Sequence, residues 1–68
     1  MTETVDKSVD DVMSAMAGIG RIRTRKAVIR LAKYWACRTP MTFWQVCEVM
    51  VDDIHQFQHV GFRKWGWK

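Results

Sequence analysis

The stretch "MTFWQVCEVMVDDIHQFQ", residues 41–58, decides the fold. Phe43, Cys47, Met50, Ile54 and Phe57 recur at spacings of 4, 3, 4 and 3. That period lays one apolar stripe along an α-helix, and the strict alternation of a strand does not fit it. Thr42 and Gln45 have the spacing of a capping box, with Met41 and Val46 placed as its hydrophobic staple. Alternatively, Thr39 caps the helix and Pro40 takes the first helical position, where a missing N–H costs nothing. Trp44 and Val51, seven residues apart, fall roughly opposite the main stripe. A helix with apolar residues on two sides wants two neighbours, and the rest of the chain supplies them.

Upstream, Val5, Val9, Val12, Met16 and Ile19 repeat the same 4, 3, 4, 3 spacing and predict a first helix over 4–17. Thr4, Asp6 or Ser8 could cap its start, and the early acids suit the positive end of the helix dipole. Gly18 and Gly20 offer the left-handed conformation that ends a helix. A second helix is predicted over 24–37. Val28, Leu31, Ala32 and Trp35 form its apolar face, widened by Ile29 and Ala36. The reading is an all-α, three-helix small domain over residues 1–58. Its expected core or dimer residues are Val9, Val12, Met16, Leu31, Trp35, Phe43, Cys47, Met50, Ile54 and Phe57. The remaining 59–68, "HVGFRKWGWK", has two glycines and no clear period, and is read as an aromatic and basic tail. The simplest expectation for Phe62, Trp65 and Trp67 is that they cover core or dimer surface. Basic and aromatic residues interleaved in this way could also stack bases or sit at a membrane interface.

The bulk numbers bound the function. Sixty-eight residues form one domain, whose core rarely supplies more than about 3–5 kcal/mol without staples or a partner. Cys37 and Cys47 are the only cysteines, ten residues apart, without the close pairing of a zinc finger. The acids among the first apolar residues exclude a signal-peptide core. No run of about 18 apolar residues exists to span a membrane. A cytoplasmic protein with two reduced thiols is expected. Nearly half the residues are hydrophobic, with four Trp, three Phe, one Tyr and five Met. That surplus points to a homodimer or to docking on a larger partner.

The net charge of +4 hides a segregation. Residues 1–20 carry −3, 21–40 carry +7, 41–58 carry −3 and 59–68 carry +3. The basic block is "RIRTRKAVIRLAKYWACR", residues 21–38, in which Arg23, Lys26, Arg30 and Lys33 are spaced 3, 4 and 3, with Tyr34 and Arg38 close by. Arg25 and Lys26 fall in the first turn of the second helix, where cations oppose the dipole by a few tenths of a kcal/mol each. Folding alone would not choose that placement, so the block is expected to meet something negative. Acids at Asp10, Asp11, Glu48, Asp52 and Asp53 could neutralise part of it within the chain. Nucleic acid and an acidic protein surface are the other two candidates.

A helix-turn-helix alignment of residues 30–46 is weak. Ala36 stands where the tight turn wants glycine. The would-be reading helix has no basic residue between Met41 and Gln58 and offers Trp44, Gln45 and Glu48 to base edges. Glu48, Asp52, His55 and His59 share a helical face at spacings 4, 3 and 4, an ordinary polar face that could also hold a metal; no metal site is assigned. With no phosphate loop or nucleophile elbow, and too little chain to enclose a pocket, no enzymatic activity or cofactor is expected. Trp, Tyr, Met and Arg are the types enriched at interface hot spots. The candidate partner-binding residues are therefore Arg23, Lys26, Arg30, Lys33, Tyr34, Arg38, Trp44 and Val51. In format (short, Trp- and Met-rich, charge-segregated) the chain resembles the small phage-encoded proteins that inhibit host regulators, a likeness carried by no motif. It implies a regulator that binds another protein, for example by sequestering a bacterial transcription factor. The alternative is a dimeric DNA-binding regulator that uses its basic second helix.

Overall fold

The computed structural model describes residues 2–67, with side chains from Ser8 onward. The side chains of Val5, Thr4 and Asp6, and residue Lys68, lie outside the described residues. Four helices follow one another: α1 (Thr2–Gly18), α2 (Arg25–Arg38), α3 (Phe43–Phe57) and α4 (His59–Lys64). There is no strand among the described residues. No helix is long and apolar enough to cross a membrane.

α1 starts ahead of all three expected caps, so Ser8 sits inside the helix. It stops at a Schellman turn. The Arg21 N–H donates to the Met16 carbonyl at 2.9 Å and the Gly20 N–H to Ala17 at 3.0 Å, while Gly20 takes a φ of 74° that a side chain would resist. α2 begins at Thr24, whose hydroxyl accepts from the Ala27 N–H at 3.2 Å. At α3 the chain settles the choice of cap: Thr42 Oγ1 accepts from the Gln45 N–H at 3.3 Å, and the Gln45 side chain accepts from the Thr42 N–H at 2.8 Å.

α3 is the central element and touches each of the other three helices; α1 and α2 also touch. The stripes behave largely as their spacing requires. Val9, Val12, Met16, Cys47, Met50 and Ile54 are all within 1% of full burial, and Val28, Ala32 and Val46 join them. Leu31, Trp35, Phe43 and Val51 are half-buried against this core.

The end of α3 departs from expectation. Phe57, on the stripe by spacing, is 54% exposed. The helix stops there because Gln58 adopts φ 50° and ψ −120°, a backbone conformation that ordinarily favours glycine. The stripe therefore has no facing partner at its last position. The chain bends back instead, and the expected tail becomes α4. It delivers Phe62 at 0% and Trp65 at 6% exposure to the core. Gly61 makes this approach feasible, because the place a Cβ would take is filled by the backbone carbonyl of Asp53. Asp53 is itself buried; its Oδ2 accepts from Trp65 Nε1 at 2.9 Å and is 3.3 Å from Lys64 Nζ. From the other side, Trp35 Nε1 donates to the Trp65 carbonyl at 3.0 Å. Gly66, at φ 98°, then turns Trp67 back to stack on Phe62, with centroids 5.6 Å apart.

The result has a radius of gyration of 10.8 Å, against the roughly 11 Å expected of a compact chain this long. Only Ile22, Tyr34, Trp44, Phe57 and Val60 remain as exposed large apolar residues among those described. A single copy thus hides more aromatic surface than composition suggests, because α4 brings two rings inward.

Candidate interaction surface

α2 buries Val28 and Ala32, so the residues half a turn away face solvent. Lys26, Arg30, Lys33, Tyr34, Cys37 and Arg38 are all exposed along that outer side or its edges. The ion pairs between described residues are Asp10 with Arg25 and Asp53 with Lys64. Neither touches the row, so Lys26, Arg30 and Lys33 have no carboxylate partner among the described residues. Within the basic block, Arg25 is neutralised by Asp10. Of the other described acids, Asp11, Glu48 and Asp52 line a groove between α1 and α3, together with Ser8, Cys47 and Val51.

Not every expected contact residue joins this face. Arg23 precedes α2 and folds the other way, its guanidinium 5.2 Å from the centroid of the buried Phe62 ring and its Nη1 donating to the Ile22 carbonyl at 2.9 Å. It belongs with Arg21, which stands 5.7 Å from the same ring and donates to His59 Nδ1 at 3.3 Å. Trp44 is 42% exposed on α3, and Val51 lies in the acidic groove, so neither lines the α2 face. The bend at Gln58 also separates His59 from the helix of Glu48, Asp52 and His55, so their regular spacing ends before it. No group of three metal-capable side chains comes together among the described residues.

What spacing alone could not show is a cleft beside the row. Ala27, Arg30, Leu31 and Tyr34 of α2 face Gly66 and Trp67 across a volume of about 350 Å³. Tyr34 is held in place: the Arg38 guanidinium sits over its ring at 4.4 Å and the Trp35 ring meets it edge-on at 5.4 Å. A cation over an aromatic face is worth about 0.5–1 kcal/mol at an exposed site. Tyr34, Trp35 and Trp65 thus form a continuous edge-to-face series from the surface inward, with Trp35 and Trp65 5.5 Å apart. The signal for this cleft is the interleaved "FRKWGWK", but its partner helix is fixed only by the fold.

On the other side of α2, Ile29, Lys33, Ala36, Cys37 and Phe43 line a shallow apolar groove. Both thiols are free, Cys37 exposed and Cys47 buried. Burial pushes the Cys47 thiol up to about 11, so it stays protonated and unreactive under ordinary conditions. In the native protein, one thiol is expected to react quickly with an aromatic disulfide reagent near neutral pH, and the second only on unfolding. Two fast thiols would contradict the placement of Cys47.

No family model, curated protein or solved structure matches this chain.

Proposed function

We propose that the chain is a non-enzymatic regulatory protein that binds and modulates another protein through the outer face of α2. The observation that supports this most is the row of Lys26, Arg30 and Lys33, exposed and without carboxylate partners among the described residues, beside an aromatic-walled cleft. Three neighbouring cations without carboxylate partners among the described residues raise the local potential, and Lys26, in the first turn of α2, also opposes the helix dipole. An acidic partner surface removes both penalties. The apolar cleft adds the kind of contact that phosphates do not make, and this favours protein over nucleic acid. The finer reading, an inhibitor that sequesters a host regulator such as a transcription factor, rests on format.

A homodimer is not required by this reading. Three of the four tryptophans are at least partly buried within one copy, and Trp44 is the exception. Pairing through Trp44 and Val51 on α3 would leave the α2 face free for its partner. The second reading, DNA binding, would use the same cations, because α3 exposes Trp44, Gln45, Glu48 and Asp52 and suits base edges poorly.

Affinity capture separates the two. Bait protein is immobilised beside a Lys26→Glu, Arg30→Glu, Lys33→Glu variant; all three positions are exposed, so the fold is expected to survive. From lysate of the native host, the wild type is expected to retain a protein in the presence of nuclease, and the variant to lose it. Retention that vanishes with nuclease, with log affinity falling steeply against log salt, would transfer the assignment to DNA.

A further inference from the structure

We propose that the cleft between α2 and the C-terminal turn receives a single apolar side chain carried on an acidic polypeptide segment. The inference rests on the protein-binding reading above and gives that partner its chemistry. The cleft, about 350 Å³ in volume, is at the small end of ligand pockets, and suits one side chain better than a cofactor. Leu31 and Ala27 provide apolar lining, and Tyr34 and Trp67 provide aromatic lining.

Charge complementarity selects the rest of the segment. Arg30 lines the cleft, Lys26 lies one turn before it on the same exposed side, and Arg38 covers Tyr34. No carboxylate among the described residues lines the cleft. The chain's own exposed acids Asp11, Glu48 and Asp52 line the α1–α3 groove instead. Among the described residues the rim is therefore cationic, with no carboxylate facing it. Trp67 adds an independent observation: its Nε1 is buried and has no acceptor among the described residues. A buried indole N–H normally finds a partner. An acceptor-rich segment entering beside Trp67 can supply one with a small shift of the terminal turn.

The aromatic rings favour an apolar anchor over a nucleic-acid base. Arg38 already occupies one face of Tyr34, and Phe62 is stacked on Trp67 at an interplanar angle of 13°. Both rings are backed by groups of this chain and act as walls. Base stacking on single strands uses open aromatic platforms along a groove.

The test uses the full-length, isotope-labelled chain and three probes. Two are short Glu- and Asp-rich peptides, one with a single central Leu and one with Ala in its place. The third is oligothymidylate. The anchored peptide is expected to bind about ten-fold tighter than the alanine peptide, the effect of one well-buried anchor. Amide shifts should centre on Leu31, Tyr34 and Gly66, and the Trp67 indole resonance should move as it gains an acceptor. Tyr34→Ala should erase the difference between the peptides while the protein still melts cooperatively, its melting temperature lowered by about 4–8 °C through the lost contacts with Arg38 and Trp35. Equal binding of both peptides, with shifts spread over all the cations, would overturn the cleft and leave the protein-binding reading standing. So would failure of the anchored peptide to bind at about millimolar concentration. Oligothymidylate binding more tightly than the anchored peptide would overturn both.

Discussion

Gly61→Ala is expected to destabilise the protein by about 3 kcal/mol, most of what a domain of this size possesses. Helix propensity points the other way. Gly61 lies inside α4, where alanine should gain about 1 kcal/mol over glycine if the site were open. It is not open. A Cβ at this position would fall 2.1 Å from the Asp53 carbonyl oxygen and 2.5 Å from its carbon. Both are backbone atoms of the central helix, so no rotamer change relieves the clash. α4 must move away as a unit, and Phe62 and Trp65 move with it. The Trp65 indole and the Lys64 ammonium then draw away from Asp53, and the buried carboxylate loses both partners. Urea unfolding followed by tryptophan fluorescence measures the loss, and the native emission should shift to the red as Trp65 becomes hydrated. Gly18→Ala is the control. Gly18 ends α1 with nothing within 4 Å of where a Cβ would stand, so that change should be neutral or slightly stabilising. A Gly61→Ala protein as stable as wild type would mean that α4 does not lie on α3 as described.

The same glycine shows where sequence reasoning runs out. Apolar spacing finds α1, α2 and α3 because each is long enough to show its period several times, and Thr42 with Gln45 marks a start by chemistry alone. α4 has six residues, fewer than two turns, so no period can emerge from it. Its glycine reads as a breaker when its use is close approach. The break itself is at Gln58, a residue with no special claim to a positive φ. Phe57 continues the stripe by number, yet the bend removes the surface it would have met. The proposed binding face divides along similar lines. Lys26, Arg30 and Lys33 are one row because all three stand on one helix, and spacing decides that. Arg23 shares their spacing, but it precedes the helix and packs towards Phe62. Nothing in the spacing places Trp67 beside Leu31 and Tyr34, because that contact depends on the turn at Gly66 and on Trp65 being anchored from two sides.

A chain ending at Gln58 is accordingly expected to lose its cooperative fold, although it retains all three long helices. Phe62 and Trp65 are among the larger side chains of the core, at 0% and 6% exposure. An aromatic ring buries about 150–250 Å², worth on the order of 4–6 kcal/mol at 25 cal/mol per Å². Two such rings exceed the roughly 3–5 kcal/mol that a small core supplies. Their removal also opens the buried cluster to which both rings belong. Circular dichroism should show a broad, non-cooperative melt with much reduced helicity, and the truncated chain should bind a hydrophobic dye or aggregate. Phe62→Ala tests the same point without deleting backbone. Truncating one fully buried ring costs about 3–5 kcal/mol, so this variant should be largely unfolded at room temperature or recoverable only with stabilising co-solvents. The two variants divide the outcomes. Unfolding of both makes α4 part of the core. A truncated chain that melts cooperatively near the wild-type temperature would make residues 59–67 an appendage, and the cleft they wall would then have to be a surface that opens and closes.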